Sequence, residues 1–152
     1  GYGHGTHVAG IVGGVGVTKK GRPYEGDYFA GLDYSGFSLR PGVAPKAKLF
    51  ALKIFGDNAL GTTNLVLDAL EWCADPNADN DFADRMDVVN LSLGNTLGLE
   101  HKHEAVSEAF TNLTRLGSVI VSGAGNSNNN NFYLPKSIKI VDGFINILHS
   151  KY

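Results

Sequence analysis

The chain has 152 residues, 43% of them hydrophobic and 18% charged, with a formal net charge of -2. That is the balance of a globular domain, or part of a larger one, and not of a disordered segment. The absence of a basic surplus argues against nucleic acid as a partner, and no apolar run approaches the roughly 18 residues that a membrane-spanning helix needs.

One cysteine, Cys73, excludes an internal disulfide. It sits in an apolar helical pattern, so a buried structural thiol is expected over a nucleophile. No signal peptide is visible, but the chain starts at Gly1 and not at Met, and the start reads as a cut through a longer protein. Glycine is frequent, at 20 residues, with clusters near 1–14, 94–98 and 117–125 that predict tight turns and close backbone approaches there.

In chain order, residues 4–14 predict a short buried helix with the histidines in its first turn. Residues 15–42, rich in Gly, Tyr and Asp with little periodicity, predict a long surface insertion. The apolar run from Ala47 to Ile54 suits a buried strand, and Gly56 to Gly61 a turn. Thr62 or Thr63 can cap a helix running to about Ala74, with Leu65, Ala69, Trp72 and Cys73 on one face. An acidic loop follows from Asp75 to Asp84, then a strand from Val88 to Leu93. His101 to Leu116 predicts a helix, with Val106, Ala109, Phe110, Leu113 and Leu116 at three- and four-residue steps and Gly117 as its stop. Ser118 to Val121 predicts a further strand. After the asparagine run 128–131, residues 132–152 carry no pattern that continues the alternation, although Ile138, Ile140 and Val141 could form a strand.

Alternating strands and helices imply parallel strands joined by right-handed crossovers. Such sheets bind ligands beyond the carboxyl ends of their strands. Both Ser92-Leu93-Gly94 and Gly125-Asn126 fall at such ends.

The segment Gly3-His4-Gly5-Thr6-His7-Val8-Ala9-Gly10 places a histidine at a helix start between glycines. A general base for a serine hydroxyl needs such a titration range, a rigid mount and room for substrate. A helix-capping or core histidine is the plainer reading, and metal ligation by His4 and His7, three residues apart, is another. Asp75, Asn77, Asp79 and Asp81 space oxygens at alternate positions, as a calcium loop does. Asn80 and Met86 replace the glycine and glutamate of an EF-hand, so the loop is not one; a solvated acidic turn is the plainer reading.

The histidine segment resembles the histidine motif of the subtilisin-like serine proteases, whose first histidine is the catalytic base and whose second is structural. Three further segments match in order: Gly42-Val43-Ala44-Pro45 with Leu52-Lys53-Ile54, Asn90-Leu91-Ser92-Leu93-Gly94, and Val121-Ser122-Gly123-Ala124-Gly125-Asn126. The resemblance covers about residues 1–127, apart from 15–42; the tail 128–152 departs from it. It implies His4 as base and Asn126 as the amide donor that stabilises the oxyanion of acyl transfer. It implies that Ser92-Leu93-Gly94 binds substrate backbone as an added strand. Gly123, Ala124 and Gly125 would form the opposite wall of the first specificity pocket, with room for a sizeable apolar side chain. Ala59, Leu60 and Gly61 would form the other substrate-binding edge. The family often binds calcium, which supports a structural Ca²⁺ without placing it.

The family orders its triad Asp, His, Ser. The acid would lie upstream of His4, and no Gly-Thr-Ser follows Asn126; Ser137 and Ser150 stand in other contexts. The expectation is an internal piece of a secreted serine endopeptidase acting on polypeptides, inactive by itself. Its expected fold is a three-layer αβα domain with a mainly parallel sheet, incomplete at both ends and with apolar edges prone to aggregation. A non-catalytic remnant that binds peptide or calcium is the second reading, and a metal hydrolase using His4 and His7 the third.

Overall fold

The computed structural model describes residues 3–56, 63–93 and 104–123. The chain divides into two compact units, residues 1–61 and 62–152. Among the described residues, helices combine with two small sheets, one antiparallel and one parallel, so the architecture is α/β.

In the first unit, α1 (His4–Gly13) starts at Gly3, whose φ of 69° is left-handed. The last carbonyls of a helix have no partner inside it, and here the following chain supplies them. The Gly14 amide donates to the Gly10 carbonyl at 3.0 Å, the Val43 amide to Ile11 at 2.9 Å and the Ala44 amide to Val12 at 2.7 Å. This is what Gly42-Val43-Ala44 does physically: it caps the helix that carries the histidines. Gly42 must be glycine at such an approach, because a Cβ there would lie 2.7 Å from the Gly10 and Ile11 oxygens.

No residue of α1 is buried, which corrects the expectation of a buried helix. Three glycines and an alanine leave the helix without a wide apolar face. The partners just named meet its end through backbone, and Val8, Ala9 and Val12 are half-buried.

The chain leaves the helix at Gly14 and returns at Gly42, whose amide donates to the Gly14 carbonyl at 2.7 Å. Within that excursion lie β1 (Val17–Thr18) and β2 (Phe37–Leu39), paired antiparallel. Sequence periodicity misses both, because strands of two and three residues are shorter than any alternation that could reveal them. Aromatic packing holds them. Tyr24 meets Phe37 at 4.8 Å and Tyr28 at 5.3 Å between ring centroids, and Tyr34 meets Phe37 at 5.7 Å. Contacts of this kind are worth about 0.5–1.5 kcal/mol each beyond their buried area.

The strand expected over 47–54 does not form. No ladder pairs it among the described residues, and Leu49, Phe50 and Leu52 are exposed. An apolar run becomes a strand only when neighbours take up its backbone groups.

The second unit holds α2 (Thr63–Ala74), β3 (Val88–Leu91), α3 (Glu104–Leu116) and β4 (Val119–Ser122). β3 and β4 are parallel, with Val88 opposite Val119 and Leu91 opposite Ser122, and α3 joins them in sequence as the alternation predicted. α3 ends at Gly117, whose φ of 102° suits glycine.

The core is Leu70, Cys73, Val89, Leu91 and Leu113. On α2 the inward stripe is therefore Val66, Leu70 and Cys73, at steps of four and three. Leu65, expected on that face, is 44% exposed. Of the expected α3 stripe, Leu113 is buried and Val106, Ala109 and Phe110 pack against the cluster, while Leu116 is half-buried and outside it. The Met86 amide donates to the Cys73 carbonyl at 2.8 Å, tying the end of α2 to the start of β3.

Candidate active site

His4 is the first residue of α1, and His7 follows on the next turn; both side chains are exposed. His4 stands at the helix start, between Gly3 and Gly5. A Cβ at Gly3 or Gly5 would meet nothing within 4 Å.

In the second unit, the two parallel strands end side by side. The Gly123 amide donates to the Leu91 carbonyl at 3.1 Å, one residue beyond the last ladder pair. Ser92 therefore leaves β3 where Gly123 leaves β4. Strand alternation then divides the pair that follows β3. Leu93 packs against the core, while Ser92 is exposed. The Asn90 side-chain amide donates to the Ser92 hydroxyl at 3.0 Å. Asn90 did not emerge from the sequence as a site residue. The available signal was an amide side chain inside an otherwise apolar strand.

Of the other expected site residues, Ala59, Leu60, Gly61, Gly94, Ala124, Gly125 and Asn126 lie outside the described residues. The structure thus brings together Ser92, Leu93 and Gly123, and places His4 in the other unit.

The acidic loop is built of local side-chain to backbone bonds. Asp75 accepts from the Asp79 amide at 3.1 Å and the Asn80 amide at 2.8 Å. Asn77 accepts from the Asp79 amide at 3.0 Å, Asp79 from Asp81 at 2.8 Å and Asp81 from Ala83 at 3.1 Å. These bonds let Ala78 and Asn80 hold positive φ values of 58° and 65°. Among the described residues, no group of three or more His, Cys, Asp or Glu side chains is arranged to hold a metal.

Cys73 is buried and unpaired with any other cysteine, and its desolvation raises the thiol pKa. A thiol held protonated in the core is a packing group and a poor nucleophile. A groove of about 620 Å³ runs between α2 and α3, lined by Leu67, Leu70, Ala109 and Leu116 among others. None of the expected site residues lines it. Among the described residues no helix is long and apolar enough to cross a membrane.

Known proteins bear on these positions. The chain is 32% identical over 127 residues to the minor extracellular protease Epr of Bacillus subtilis, covering 84% of this chain and 15% of that protein. It is 33% identical over 127 residues to subtilisin DY of Bacillus licheniformis, covering 84% and 35%. To thermitase of Thermoactinomyces vulgaris it is 32% identical over 129 residues, covering 85% and 36%. The chain thus spans little more than a third of the length of these relatives, or less. The model of the subtilase family, peptidase S8, matches residues 1–147. The chain belongs to the subtilase family.

Proposed function

We propose that these residues are part of a secreted serine endopeptidase that hydrolyses peptide bonds through an acyl-serine intermediate. The observation that carries the reading is the shared carboxyl end of β3 and β4, where Ser92 and Gly123 stand side by side. That is where a parallel sheet presents a ligand site, in a chain of the subtilase family. The name of the Epr relative describes an extracellular protease, which supports secretion.

In this reading His4 takes the proton from the serine hydroxyl as it attacks, then returns it to the leaving amine. Asn126 donates its side-chain amide to the oxyanion, a bond that strengthens as charge develops. Ser92-Leu93-Gly94 pairs with the substrate backbone as an added strand. Gly123-Ala124-Gly125 walls the first pocket, and Ala59-Leu60-Gly61 forms the opposite edge. The acid and the serine nucleophile come from elsewhere than the matched segments of these 152 residues.

A three-layer αβα arrangement belongs to the same proposal. Helices cover one face of the β3–β4 pair, while Val88, Val119 and Val121 on the other are 60%, 58% and 42% exposed. A third layer would cover that apolar face.

The test is hydrolysis of casein together with labelling by an active-site-directed organophosphonate. The 152-residue chain by itself should do neither; its labelling would show a nucleophile that the motifs miss. A natural protein carrying the segment should do both. Failure of that protein would leave the second reading, a non-catalytic relative that binds peptide.

Calcium at the 75–81 loop is a separate proposal, supported by the alternate spacing of Asp75, Asn77, Asp79 and Asp81. As placed, their oxygens are engaged with amides, so an ion would have to draw the loop into a new arrangement. Millimolar calcium should raise the melting temperature if it binds, and unchanged melting with and without calcium overturns the idea.

A further inference from the structure

We propose that Asn90 is a positioning residue for the substrate-binding edge, holding Ser92 in register through the hydrogen bond from its side-chain amide. The proposal rests on the reading of Ser92-Leu93-Gly94 as that edge.

The argument begins with the residue type. β3 alternates cleanly: Val89 and Leu91 are buried, while Val88 and Asn90 are exposed. Across the ladder, Val88 stands opposite Val119 and Asn90 opposite Val121. The outer face of the pair therefore holds three valines and a single asparagine. Packing and strand preference would both choose a fourth β-branched residue at this position, since asparagine is depleted in strands. The exposed amide could bond to water, yet it takes a protein partner.

Ser92 is that partner. It lies two residues on, hence on the same side of the chain, and its hydroxyl oxygen is 3.0 Å from the Asn90 amide nitrogen. The main-chain ladder ends at Leu91 and Ser122. Ser92 is thus the first residue past the last ladder pair, beside the bond from the Gly123 amide to the Leu91 carbonyl. A side-chain clamp from Asn90 carries the order of β3 one residue further. An edge ordered before the peptide arrives loses less freedom on binding.

Asn90→Val separates this role from a structural one. Valine suits the strand and matches its neighbours, so the urea midpoint of the 152-residue chain should stay level or rise. Binding of the peptide Ala-Ala-Ala-Phe-Ala-Ala, followed by ¹⁵N amide shifts at Ser92 and Gly123, should weaken by about three- to tenfold in Kd. Asn90→Asp, whose carboxylate can accept from the Ser92 hydroxyl, should recover most of the lost affinity. An unchanged Kd in Asn90→Val overturns the role of Asn90 and leaves the binding edge standing. A joint fall in midpoint and affinity, without recovery in Asn90→Asp, makes Asn90 an ordinary structural residue and also overturns it. Absence of any shift at Ser92 in the unsubstituted chain overturns the edge and the clamp together.

Discussion

His4→Ala should lower kcat for casein hydrolysis by at least about a thousandfold in a natural protein that carries this segment. KM should change little, because a general base acts on the transition state and not on bound substrate. His7→Ala should leave kcat within a few-fold. The two histidines make an internally controlled pair. They stand three residues apart on one helix and are both exposed, so a loss confined to His4→Ala marks chemistry, and any folding loss at the structural His7 is read separately. A metal hydrolase that uses both as ligands predicts equal and severe losses. Steady-state kinetics on the two variants, with folded fraction checked by circular dichroism, distinguishes the cases. Comparable kcat for His4→Ala and the unsubstituted enzyme would remove the proposed base.

The second large effect is on stability. Leu113 is 2% exposed and belongs to the core cluster with Leu70, Cys73, Val89 and Leu91. Leu113→Ala removes its methyl groups from the contact between α3 and its neighbours and leaves a cavity, at a cost of about 2–5 kcal/mol. Domains have only about 5–15 kcal/mol in total, so such a loss is a large share. Urea denaturation should show a large fall in midpoint with the denaturant slope retained. Leu65→Ala, at a position 44% exposed on α2, should stay within about 0.5 kcal/mol. Equal effects at the two positions would mean that the α2 stripe runs through Leu65 after all.

That pair of leucines also shows where the sequence could and could not be read. α3 was legible because its apolar residues recur at helical steps over thirteen positions and one clear stripe results. α2 is apolar on more than one side, with Leu65, Val66, Leu67, Ala69 and Leu70 close together. Periodicity alone then leaves several stripes open, and packing against α3 and β3 chooses Leu70. The parallel β3–β4 pair was legible from its valine-rich runs and the helix between them. The run 47–54 looked no different, yet strand formation depends on neighbours that composition does not reveal.

For the site, the positional argument carried furthest. Strand ends could be located from the alternation: β3 ends at Leu91, just before Ser92, and β4 at Ser122, while Gly94, Gly125 and Asn126 lie outside the described residues. The part played by Gly42-Val43-Ala44 could not be seen in the same way. Its meaning lies in hydrogen bonds to carbonyls some thirty residues earlier, and no local pattern encodes such a contact. Asn90 was passed over for a different reason: its neighbours read so well as a strand that one polar residue did not interrupt the pattern.

The hydrogen bond between the Gly42 amide and the Gly14 carbonyl has an evolutionary consequence. The 27 residues between them leave and re-enter the chain at a single point, on the far end of the helix from His4. Chain can be added or removed there without changing the cap that Val43 and Ala44 place on that helix. Each doubling of a flexible loop's length costs only about 0.6 kcal/mol in closure entropy. The junction thus works as a splice point, where lineages can trial new surface sequences while the histidine stays mounted as before.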